Sequence, residues 1–195
     1  MNPKSLALGF APLVAFSLLT RYVGVEVGAL AGLLIAVAVL VSGRRDGLKL
    51  LPVVQALSLA AVALVDAIGG HSTDDFLTSY GQGLVSLALA AAILVTASFA
   101  PFTAQFARGS VSAEVARTKE FRQLNSRISL AWGLAVFALG ICHVVAGTLP
   151  DDDRRGQLLL DWGGLVIAFG LALRYTESTV AHATASRPDK ATQEP

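Results

Sequence analysis

Charge is scarce in this sequence and cysteine almost absent. Only 15% of the residues are charged, where soluble domains carry about 25%. One cysteine, Cys142, excludes a disulfide framework within the chain and a cysteine-rich metal site. A net charge of +1 gives no basic excess of the kind nucleic acid requires, so no nucleic-acid partner is expected. Glycine-rich phosphate loops, a nucleophile elbow and zinc-ligand spacings are all missing. The expectation is a chain without catalytic residues, cofactor or metal. His71, Asp74 and Asp75 are candidate metal ligands, but such a group reads first as a solvated loop. Only His143 of the three histidines falls inside an apolar run, which argues against a two-histidine haem site.

What the sequence does have is apolar length. The mean hydropathy is +0.62, and six runs at about 6–22, 25–41, 48–68, 80–100, 128–147 and 157–175 contain few charges. A membrane-crossing helix needs about 20 such residues. In hydrocarbon every backbone amide must be satisfied internally, which favours helices, and no period-two alternation suggests a barrel. The fold class expected is all-α, a polytopic membrane bundle of six transmembrane helices. The interval 6–41 is too long for one span and reads as a helical hairpin with Arg21, Tyr22 and Glu26 at its turn. Lys4 followed by an apolar stretch also fits a secretory signal, but Pro12 and the lack of a small-residue cleavage pattern favour a retained span.

Charge placement sets an expected orientation. With the N-terminus inside, Lys4, Arg44, Arg45, Lys49, Arg108, Arg117, Lys119, Arg122, Arg127, Arg174, Arg187 and Lys190 are cytoplasmic. The outer side keeps Arg21, Arg154 and Arg155. The positive-inside rule therefore predicts both ends in the cytoplasm. Trp132 and Trp162 are expected at opposite interfacial depths, where an indole keeps its ring apolar and its N–H partnered.

Small residues are regularly spaced. Gly24, Gly28, Gly32 and Ala36 recur every four positions; Gly133, Gly140 and Gly147, and then Gly156, Gly163 and Gly170, recur every seven. Each set lines one helix face and allows close backbone approach, which membrane helices need because lipid supplies no hydrophobic drive. Packing within the bundle is the first reading, and a homodimer through the 24–36 stripe the second. The intramembrane polar candidates are Gln55, Asp66 and His143. Ionisable groups at that depth point to function by default. His143 shares the Gly140–Gly147 face and reads first as a neutral interhelical histidine; Asp66 lies at a similar distance from the outer end of its span, so an Asp66–His143 pair is a second hypothesis. The alternative for Asp66 is a carboxylate at a helix end.

The transmembrane domain is expected over residues 1–178. Within it, 101–127 is a cytoplasmic connection with five basic and two acidic residues, read as a partly amphipathic helix. Arg117, Lys119, Arg122 and Arg127 would meet lipid headgroups or a partner. Residues 179–195, rich in polar and charged side chains, read as a disordered cytoplasmic tail.

Phe121-Arg122-Gln123-Leu124-Asn125, then Leu130-Ala131-Trp132-Gly133-Leu134, Gly140 and His143, together with Ala11-Pro12-Leu13-Val14, resemble the bacterial intracellular septation protein A family of small inner-membrane proteins. Four residues, Ser126 to Ser129, separate the first two elements where the family has near adjacency, and His143 stands where the family has asparagine. The resemblance implies a non-enzymatic role in cell envelope maintenance or septation, acting through helix contacts with other envelope or division proteins of the bacterial inner membrane. The alternative is a small transporter or channel component with a polar path near Asp66 and His143.

Overall fold

The computed structural model describes residues 3–43, 47, 49–150 and 152–185, with side chains from Gly9 onward apart from His71. The expected tail beyond Ala185, Arg44 and Arg45 lie outside the described residues, as does the Lys4 side chain. Every regular element among the described residues is helical: α1 (Pro3–Val23), α2 (Val25–Ser42), α3 (Leu50–Ile68), α4 (His71–Thr96), α5 (Phe102–Ala107), a 3-10 turn (Arg108–Ser110), α6 (Ala113–Ala116), α7 (Lys119–Thr148), α8 (Arg154–Leu158), a π-helical turn (Leu159–Gly163) and α9 (Gly164–Ala185). Five helical stretches are long and apolar enough to cross a membrane: α2, α3, Ser72–Thr96, α7 and the continuous Arg154–Ala185. The apolar part of α1, Gly9–Val23, is shorter. Leu34, Leu57, Leu64, Val95, Leu134 and Val166 are all at least 60% exposed. A belt of such residues around the long helices suits a hydrocarbon solvent.

α1 and α2 meet at one residue. Gly24 adopts φ +101°, a left-handed conformation open to glycine at little cost, and the chain reverses there. The two helices then lie close: a Cβ on Gly28 would collide with Thr20, and one on Gly32 would come within 2.9 Å of Leu59 and 3.0 Å of the Pro12 carbonyl. Gly28 and Gly32 of the four-residue stripe are therefore used inside the chain, at the junction of α1, α2 and α3. Gly24 itself has no neighbour within 4 Å of such a Cβ, so it turns the chain and makes no packing contact.

α4 and α7 form the most intimate pair, because glycines open both surfaces. Gly133 faces Ile93 and Leu94, Gly140 faces Leu87, Gly147 faces the Ser79 carbonyl, and Gly83 of α4 faces Val144 and the Gly140 carbonyl. The seven-residue spacing aims all three α7 glycines at one partner. A Cβ on Gly163 or Gly170 would meet nothing within 4 Å; among the described residues neither is a packing glycine. α9 leans on α7 and leaves Val166, Ile167 and Leu171 exposed.

Aromatic rings lock the far end from Arg21. Phe10 stacks on Trp132 at 5.1 Å, and Phe102 and Phe169 meet Phe10 edge-on. Trp132 is 2% exposed and donates to Thr176 Oγ1 at 3.0 Å. Its partner is a neighbouring helix, so it is a core residue and not a member of an interfacial belt.

The connection from 101 to 127 departs from an extended amphipathic surface helix. α5 tucks Phe102, Thr103, Ala104, Phe106 and Ala107 into the bundle. Thr103 Oγ1 donates to the Asn125 carbonyl at 2.9 Å and pairs with Ser129 Oγ at 2.9 Å. After the brief α6, Thr118 caps α7 by accepting from the Phe121 N–H, so residues 119–127 belong to that long helix. Arg117, Lys119, Arg122 and Arg127 remain exposed. At the other boundary, α9 carries helix through residues 179–185, where the sequence suggested the tail already begins. α4 likewise starts at His71, so residues 71–75 form its first turn and not a loop.

Candidate functional site

Polar side chains collect at the end of the bundle where α1, α3 and α7 finish and α4 and α8 begin. They line a cavity of about 290 Å³ walled by α1 (Thr20, Arg21), α4 (Thr78, Ser79, Gln82), α7 (His143, Ala146, Gly147) and the 149–161 segment (Leu149, Arg154, Gln157, Asp161). A smaller void of about 20 Å³ lies against it, bounded by Leu13, Ser17, Leu139 and Trp162 and sharing Arg21, Gln82, His143 and Asp161 with the larger one. A void of that size holds roughly one water.

Arg21 organises the site. It forms an ion pair with Asp161 and donates its second guanidinium nitrogen to Gln157 Oε1 at 3.1 Å. The Arg21 and Asp161 side chains are 20% and 13% exposed, so the pair is more shielded from water than an ordinary surface bridge and correspondingly stronger. Asp161 occupies the π turn, where the α ladder of the Arg154–Ala185 stretch is interrupted; such turns occur often at functional positions. Gln82 donates to the Ser17 carbonyl at 3.0 Å, crossing from α4 to α1. Thr20 lines the wall while its Oγ1, without a hydrogen-bond partner among the described residues, presses on Gly28.

His143 is 4% exposed and sits at the cavity floor. Its Nδ1 lies 3.4 Å from Ser86 Oγ, and the backbone carbonyls of Gln82 and Asp161 face the ring. The hypothesised Asp66–His143 pair does not form. α3 packs on α1, α2 and α4, whereas α7 packs on α4 and α9, so α4 stands between the two residues. The charges that Asp66 senses are the Asp74 and Glu26 carboxylates. Gln55 is fully buried elsewhere, donating to the Gly9 carbonyl at 3.1 Å, and its Oε1 has no partner among the described residues.

Of the three intramembrane polar candidates, only His143 belongs to the cavity. Arg21, Gln82, Gln157 and Asp161 were missed as a set. Arg21 reads in sequence as a turn residue, and Asp161 falls unmarked within the 157–175 run. The usable signal was a lone cation in the first apolar run and a lone carboxylate in the last. Among the described residues no three of His, Cys, Asp and Glu could hold a metal ion.

The sequence features that carry the septation resemblance have a structural explanation of their own. Phe121, Asn125, Trp132, Gly133, Gly140 and His143 are all buried on α7, where they meet α4, α5 and α9. No protein-family model, curated protein or solved structure matches this chain.

Proposed function

We propose that this is a non-enzymatic bacterial inner-membrane protein that crosses the bilayer six times with both ends in the cytoplasm, and that its outward-facing cavity binds a small hydrophilic solute. The orientation rests on charge: twelve of the fifteen basic residues fall in segments assigned to the inner side. The observation that carries the binding role is the convergence of Arg21, Gln82, His143, Gln157 and Asp161 on one cavity. Side chains of this kind are expensive within membrane-spanning helices and are kept where they face water or a ligand. Two guanidinium groups, Arg21 and Arg154, line the cavity against one carboxylate, Asp161, which favours an anionic solute. The cavity volume lies near the low end of small-molecule sites, so a metabolite-sized organic acid fits. This is the transporter reading with its polar path moved from Asp66 to Arg21 and Asp161.

The test uses the purified chain in lipid nanodiscs. Thermal unfolding is followed with lactate, gluconate and glutamate, and with glycerol and glucose as neutral controls. At least one acid should raise the midpoint, and Arg154→Gln should remove that rise. Equal effects of acids and neutral sugars, or no effect of any acid, would sink the assignment.

A second reading, an envelope or septation scaffold acting through helix contacts, draws on the open space at Gly163 of the π turn and Gly170 of α9 and on the family resemblance. It predicts that division or wall-synthesis proteins co-purify in mild detergent and that Gly163→Leu with Gly170→Leu abolishes their recovery.

A further inference from the structure

We infer that the Arg21–Asp161 pair is a gate between the outer cavity and the smaller void bordered by Ser17, Gln82 and His143. This rests on the reading of the cavity as a solute site. Both spaces border Arg21, Gln82, His143 and Asp161, so the ion pair stands at their junction. The larger space opens among Thr78, Ser79 and Arg154, which are exposed; the smaller is framed by Leu13, Leu139 and Trp162, one helical turn and more below.

The element that carries Asp161 is built to move. From Phe169 onward α9 is fastened by Phe169 against Phe10 and Trp132, and by Thr176 to Trp132. Upstream of Phe169, Leu159, Val166 and Ile167 are 64–72% exposed, while Gly164 lies close to Cys142. This upstream segment is tied to α1 by Arg21, through Asp161 and Gln157. Within it lies the π turn Leu159–Gly163. A π turn carries an extra residue, and its return to α geometry rotates the side chains it bears. Asp161 would then leave Arg21, and the deeper void would join the cavity. An anion entering beside Arg154 competes for the Arg21 guanidinium, which couples solute binding to opening.

The test is thiol labelling of the full chain in intact cells, after Cys142→Ala removes the single native thiol. Thr78→Cys reports on the cavity and Ser17→Cys on the deeper void, each challenged with a membrane-impermeant maleimide. Thr78→Cys should react quickly and Ser17→Cys slowly. Asp161→Asn, or independently Arg21→Gln, should raise the Ser17→Cys rate by about tenfold, the size of a typical coupling between two states. Exchanging the charges, with Arg21→Asp and Asp161→Arg together, should return it to the slow value, which a merely damaged bundle would not do. Ser17→Cys labelling that is fast with the pair intact, or still slow with it broken, overturns the gate while leaving the cavity standing. Failure of Thr78→Cys to label would instead overturn the solute site and the gate with it.

Discussion

Trp132 on α7 donates its indole N–H to Thr176 Oγ1 on α9 at 3.0 Å, and both residues are buried. Thr176 in turn donates to the Ala172 carbonyl one turn back, so its oxygen is free to accept. This bond and the Phe10 stack hold a helix that is otherwise poorly packed. Trp132→Phe should keep most ring packing and lose the bond, costing about 1 kcal/mol as membrane hydrogen bonds do. Trp132→Ala should cost about 3–5 kcal/mol by leaving a cavity. Unfolding titrations in mixed micelles with increasing SDS measure both, and equal losses would show the ring packing to be irrelevant.

The glycines divide into two groups with opposite expected behaviour. Gly32→Val and Gly140→Val place atoms against Leu59 and Leu87 and should destabilise by about 1–3 kcal/mol through overpacking. Gly170→Ala meets open space and should be neutral or stabilising by up to about 1 kcal/mol from helix propensity. Gly24→Ala also meets open space but needs a left-handed residue, costing about 1–2 kcal/mol. The same SDS titration ranks them.

Arg21 and Asp161 should be energetically coupled. Removing either side chain alone leaves the other shielded charge unpaired, whereas removing both relieves that penalty. A double-mutant cycle with Arg21→Gln and Asp161→Asn should give a coupling of about 1–3 kcal/mol. A coupling indistinguishable from zero would place the pair among ordinary surface bridges.

Asp66 and His143 should show no such coupling. The intervening α4 separates their helices, and the hydrogen-bond partner of His143 is Ser86. Effects of Asp66→Asn and His143→Gln on stability should add within about 0.5 kcal/mol. Asp66→Asn should also leave acid-induced thermal shifts intact, while His143→Gln should alter them.

Ser129 and Thr103 pin α5 to α7. Ser129 Oγ accepts from the Thr103 N–H at 3.3 Å and bonds its hydroxyl at 2.9 Å, all buried. Ser129→Ala should strand that amide and cost about 1–3 kcal/mol. Amide hydrogen exchange should then speed up across 102–107 before it does in the long helices; uniform acceleration would mean α5 has no separate anchor.

Apolar run length and glycine spacing were enough to reveal the helical class and the presence of several long apolar helices, because a helix repeats every few residues and its pattern is local. The 133–140–147 spacing likewise announced a packing face on α7, though only the fold named α4 as its partner. Three outcomes depended on which helices became neighbours. His143 met Ser86 because α4, not α3, lies against α7. Trp132 turned inward because Thr176 and Phe10 arrive from helices distant in sequence. Arg21 found Asp161 at a sequence separation of 140, and the two together wall the cavity. Periodicity records which side of a helix is buried; it carries no record of what buries it, since that is fixed by the joint packing of every helix at once.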